Sequence, residues 1–132
     1  MNRSRAPAPL LIDVDERDDH AVIAPTGYLN ALTGDRIDKV CDELVARGIQ
    51  YIIINFSRVE LINTIGISIL VGVFEKVLKR QGIVYLTELT GTNREIFDVL
   101  GLGSVAMIFA DDNAAREHLR RDKESQRRAI GQ

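Results

Sequence analysis

The sequence predicts an α/β domain: a four- or five-stranded mixed sheet with about four helices, opened by a β-hairpin. Three observations predict it. Tyr51-Ile52-Ile53-Ile54-Asn55-Phe56 is a continuous β-branched run, as expected of a central strand buried on both faces. Leu61 to Phe74, LINTIGISILVGVF, sets small polar groups directly in front of an apolar run, which is the chemistry of a helix start. Ile83 to Thr87 reads as another strand after Gly82, so strand, helix and strand form a parallel crossover unit of the usual length.

In chain order, Met1 to Pro9 is expected to be a flexible lead-in, with Pro7 and Pro9 among small and basic residues. Leu10 to Glu16 and Ala21 to Thr26 read as the two arms of the hairpin, joined by the acidic turn Asp18-Asp19. Ile37, Val40, Cys41, Leu44 and Val45 recur at three- and four-residue spacing, giving an amphipathic helix from about Leu32 to Arg47 that Gly48 closes. Ser57 to Glu60 is read as the loop into the next helix. That helix spans roughly Thr64 to Gln81: Gly66 and Gly72 argue against a strand, and Glu75 to Arg80 restores helical alternation. A short helix, Asn93 to Leu100, and a short strand, Val105 to Phe109, follow. Asp111-Asp112-Asn113 caps a last helix from about Ala114 to Arg121. The expected organisation is one domain over residues 10–121, with residues 122–132 a flexible charged tail.

Composition narrows the function classes. At 132 residues the chain fits one domain without staples. A formal net charge of −2 supplies no basic field for nucleic acid, and 5% aromatics without tryptophan gives no stacking platform for bases. The lone Cys41 cannot form an internal disulfide and reads as a buried thiol in a reducing cytoplasm. No stretch reaches the roughly 18 apolar residues of a membrane span, and Leu10–Ile12 is too short for a signal peptide. A cytoplasmic protein is expected.

Catalytic chemistry has little support. His20 and His118 read as surface histidines without an acid or thiol at ligand or triad spacing, and Gly101-x-Gly103 follows a helix instead of opening one. The acids Asp13, Asp15, Glu16, Asp18 and Asp19 lack calcium-loop spacing and suit a solvated hairpin edge. No metal, cofactor or enzymatic activity is expected. What remains is the helix mouth. Asn63 or Thr64 can act as its N-cap, and a phosphate on Thr64 would sit at the positive end of the helix dipole. The first two turns are apolar all round, so either a partner covers part of them or the helix is wedged between neighbours.

With this order of elements, the residues resemble a STAS domain, the fold of bacterial anti-sigma factor antagonists. The resemblance is carried by Thr26-Gly27-Tyr28-Leu29-Asn30, the strand Tyr51–Phe56, Val59 to Ile67 entering a helix, Gly82, and Ile96 to Leu102, and it spans about Leu10 to Leu119. It implies that Thr64 is a phosphoacceptor for a dedicated protein kinase, with Asn63, Ile65 and Gly66 beside it in the motif. Two positions depart from the family pattern. Asn63 replaces the motif aspartate, and Asn30 stands where many members have a second aspartate near the acceptor. An amide oxygen can accept the same hydrogen bond but carries no charge to help with the proton.

The resemblance further implies partner switching: the unmodified protein captures a kinase that is often itself an anti-sigma factor, phosphorylation releases it, and a phosphatase resets the cycle. The contact would run from Thr64 along the exposed side of the following helix, through Ile67, Ser68 and Val71. A homodimer is compatible with the same reading. Two other readings stand beside it: a constitutive adaptor, not phosphorylated, within a larger signalling or transport assembly, and a small-molecule site at the strand ends.

Overall fold

The computed structural model describes residues 11–131, so the lead-in expected over residues 1–9 lies outside the described residues. β1 (Leu11–Glu16) and β2 (His20–Leu29) form the opening antiparallel hairpin, with Leu11 opposite Thr26 and Glu16 opposite Ala21. The other ladders are parallel. β3 (Tyr51–Asn55) lies beside the start of β2, β5 (Ile83–Thr87) beside β3, and β6 (Met107–Phe109) beside β5. Three helices, α1 (Ala31–Ala46), α2 (Thr64–Lys79) and α3 (Gly91–Val99), contribute to the core on one face, while α4 (Asp112–Gly131) covers the other.

β3 shows why the sheet has two buried faces. Ile52 and Ile54 point into the core shared with α1, α2 and α3, whereas Tyr51 and Ile53 pack with Tyr85, Ala115 and Leu119 under α4. A strand covered on both sides has no polar face to alternate with, hence its unbroken apolar sequence. The expected fold class, a mixed α/β sheet with four helices and an opening hairpin, describes the architecture.

One strand was missing from the expectation. The segment read as a loop over Ser57 to Glu60 runs into β4 (Val59–Ile62), which pairs in parallel with the far end of β2, Leu29 opposite Ile62. Val59 and Ile62 are buried while Glu60 and Leu61 are exposed, so the strand has no period-two signature. Its register shifts between Gly27 and Tyr28, and past that irregularity the two strands end side by side, just before α1 and α2 begin.

The last helix also differs. α4 continues to Gly131, past Arg121. Polar ties hold its middle to the sheet, where Lys123 Nζ donates to Asp19 and the Tyr51 hydroxyl donates to Asp122 at 2.6 Å, while the exposed residues described beyond Lys123 carry only local pairs such as Arg128 with Glu124. His20 belongs to the same belt and is not a surface histidine. It is buried, its Nδ1 is 2.8 Å from Asp19, and its Nε2 accepts from Arg116. The reading of His118 shifts too, since it is half-buried and 3.2 Å from the Tyr85 hydroxyl. Cys41 is buried, and burial pushes its thiol up to about 12.

The belt predicts a pH response. Hydrogen bonds from Lys123 and then from His20 hold the Asp19 carboxyl at about 2, below its ordinary 3.8. A carboxylate lowered on folding contributes stability above its unfolded pKa and loses it as pH falls through the folded one. Docking of α4 is therefore expected to weaken as pH drops from about 3.8 toward about 2. Amide exchange along Lys123 to Gly131 reads the effect, and Asp19→Ala should show the faster exchange already at neutral pH. Equal protection in the two proteins would contradict the role given to Asp19.

Candidate functional site

Asparagine chemistry starts both helices at the carboxyl end of the sheet. Asn30 and Asn63 directly follow the paired residues Leu29 and Ile62, so the register of β2 with β4 brings the two side by side. Each has extended backbone and serves as an N-cap. The Leu32 and Thr33 amides donate to Asn30 Oδ1 at 3.0 and 3.1 Å, and the Gly66 amide donates to Asn63 Oδ1 at 2.8 Å. The question left open between Asn63 and Thr64 is thereby answered: Asn63 caps α2.

Thr64 is then the first residue within α2, and it is exposed. Its hydroxyl makes no hydrogen bond to the protein among the described residues, and the cap bond to the Gly66 amide comes from Asn63 instead. Replacing that cap tests the division of labour. Asn63→Ala is expected to cost about 1 kcal/mol of stability in chemical denaturation, and Asn63→Asp almost nothing, because a carboxylate oxygen caps equally well. Equal losses in both would show that the cap is not what Asn63 supplies.

Gly66 locks this end in place. The Asn63 amide donates to the Leu29 carbonyl at 3.1 Å, and a Cβ on Gly66 would stand 2.4 Å from that same oxygen. Only glycine lets α2 approach the end of β2 so closely. Ile65, the next motif residue, projects 58% exposed. With Tyr28, Leu32 and Leu61 it makes the mouth apolar on one side of Thr64.

On the other side lies a groove of about 840 Å³ between α2 and α3. Thr64, Ile67, Ser68 and Val71 line it together, so the structure places on one surface the residues expected to meet a partner. They are not equally available. Ser68 is exposed and Val71 half-buried, but Ile67 is only 7% exposed and belongs mostly to the core. The opposite wall was not anticipated as part of the site: Ile96, Val99 and Leu100 of α3 and its end, followed by Leu102. A signal was present, since Ile96, Phe97, Val99 and Leu100 are more apolar residues than one narrow helix face can bury, and only Phe97 is. Asn93 fixes this wall by donating to the Val59 carbonyl at 3.2 Å.

The arrangement offers a nucleophilic hydroxyl for modification at a positive helix end, bordered by apolar surface. No cluster of three or more metal-ligating side chains occurs among the described residues, and no helix among them is long and apolar enough to cross a membrane.

Comparison with known proteins agrees with the fold. A family model for the STAS domain matches residues 12–115. Among solved structures, the protein TM1081 of Thermotoga maritima superposes with a TM-score of 0.75 at 20% identity, covering 92% of this chain and 98% of its own. An anti-sigma factor antagonist from Mycobacterium paratuberculosis gives 0.74 at 22% identity, covering 87% and 97%. The Bacillus cell fate determinant SpoIIAA in its phosphorylated form gives 0.65 at 21% identity, covering 81% and 98%. At these identities the likeness is one of fold.

Proposed function

Because this chain belongs to the STAS domain family, we propose that it is a partner-switching module that binds a bacterial serine/threonine kinase or anti-sigma factor and is gated by phosphorylation of Thr64. The observation that carries the reading is the exposed Thr64 side chain at the first position of α2, relieved of capping by Asn63 and bordered by an apolar groove. A relative of the same fold in its phosphorylated form supports it.

The physical logic is local. Unmodified, the mouth and groove present apolar surface that a partner can cover. A phosphate adds a charge of about −1.5 to −2 there, and that charge must be desolvated before the same partner can seat. The modified state is itself tolerated, because the helix dipole favours an anion at this end and the flanking residues are amides instead of carboxylates. A phosphatase then returns the hydroxyl.

The test uses a serine/threonine kinase encoded beside this protein's gene. Incubation with that kinase and ATP, followed by mass spectrometry, is expected to place a single phosphate on Thr64 and none on the Thr64→Ala variant. Absence of phosphate on Thr64, with a complex that forms regardless of ATP, would overturn the gate and leave a constitutive adaptor.

A further inference from the structure

The groove beside Thr64 specifies the kind of element a partner inserts. Both walls are helical, so their backbone N–H and C=O groups are consumed internally and an extended strand would gain no ladder from them. The lining is mostly apolar, with Val99 84% and Leu100 54% exposed on the α3 side. No lysine or arginine lines it, whereas Glu95 does. Glu75 continues the Thr64, Ser68, Val71 stripe of α2 at the next helical step, and it is exposed. Neither Glu75 nor Glu95 joins a salt bridge among the described residues. From Thr64 to Glu75 the stripe is about 16 Å long, or three helical turns.

We propose that this groove receives an amphipathic helix of the partner, antiparallel to α2, with apolar residues at i, i+3/i+4 and i+7 against Val71, Ile96, Val99 and Leu100, and with lysine or arginine on its flanks facing Glu75 and Glu95. The proposal rests on the partner-binding reading of α2 and adds the element bound, its charge and its direction. Direction follows from the dipoles. The positive end of α2 lies at Thr64, so an antiparallel helix brings its negative carboxyl end there. A phosphate on Thr64 then faces that end and repels it, whereas a parallel helix would be held more tightly by the same phosphate. In the antiparallel arrangement the dipole therefore adds to the desolvation cost that releases the partner, whereas in the parallel one it works against it.

The probe is a synthetic amphipathic peptide of about 15 residues, long enough to sample helix, with a leucine stripe, lysine flanks and a nitroxide at its carboxyl end. Its isomer carries glutamate for lysine. Titrated into the full chain and followed by NMR, the lysine peptide is expected to shift Val71, Val99 and Leu100, to broaden Thr64 and Ser68, and to bind about tenfold tighter than its isomer, as two exposed charge contacts allow. Glu75→Lys with Glu95→Lys should reverse the preference. Equal affinity of the two peptides, shifts confined to other surfaces, no binding, or broadening at the Glu75 end would overturn the proposal. Val99→Asp, at an exposed position that leaves the core intact, and Thr64→Glu separate the two readings. A lysine peptide indifferent to Thr64→Glu but lost with Val99→Asp upholds the groove and overturns the gate. One weakened by Thr64→Glu yet indifferent to Val99→Asp and to flank charge overturns the groove alone.

Discussion

Thr64→Glu is expected to weaken binding of the partner about 100-fold, an effect of about 2.7 kcal/mol. The demand on the structure is modest, because two or three charge-sensitive contacts near one side chain supply that much. Folding should be almost untouched. Thr64 is exposed, its hydroxyl is not the helix cap, and a carboxylate in the first turn of α2 suits the helix dipole. Thr64→Ala should bind like the parent protein, since it removes only the acceptor of the modification. Isothermal titration of the three proteins against one partner, with melting curves alongside, distinguishes an effect on docking from an effect on stability. Comparable affinity for all three would show that charge at the mouth of α2 does not govern binding.

Gly66→Ala is expected to have the largest effect on stability, a loss of roughly 1–3 kcal/mol in chemical denaturation from overpacking. The added Cβ would meet the Leu29 carbonyl oxygen and the Leu29 side chain at once, at 2.4 and 2.7 Å. Backbone cannot swing aside as a flexible side chain does, so the start of α2 must lift off β2. That movement would stretch the 3.1 Å bond from the Asn63 amide to Leu29 and displace Thr64 with it. By contrast, Gly72→Ala is expected to be neutral or mildly stabilising, because nothing lies within 4 Å of its Cβ position and alanine is the better helix former. Equal midpoints for the two variants would remove the close approach from the explanation of the site.

Much of this was legible in residue order alone. Tyr51–Phe56 announced a doubly covered strand, Gly82 marked the break between α2 and β5, and small polar residues ahead of LINTIGISILVGVF marked the helix mouth. What could not be read depends on contacts distant in sequence. β4 is a strand only because the far end of β2 offers a partner, and with two central residues exposed it carries no alternation. The distal half of α4 looks like a polar tail until Tyr51 and Asp19, from other elements, are placed beneath Asp122 and Lys123. Those two contacts fix the middle of α4, whereas its last two turns are exposed and hold only local i,i+4 pairs among the described residues.

The site shows the same division. Thr64, Asn63 and Gly66 are contiguous, so their roles could be framed from local chemistry, although which of the first two caps the helix needed coordinates. Asn30 joins them only through the β2–β4 register. The α3 wall of the groove was visible merely as an excess of apolar residues, because nothing local says that Val99 and Leu100 face α2 across open space.

The most direct measurement is a calorimetric titration of one purified kinase or anti-sigma partner into this protein in two forms, unmodified and stoichiometrically phosphorylated on Thr64. The account predicts binding by the unmodified form and an affinity about 100-fold lower for the phosphorylated one. Equal affinity of the two forms would contradict it.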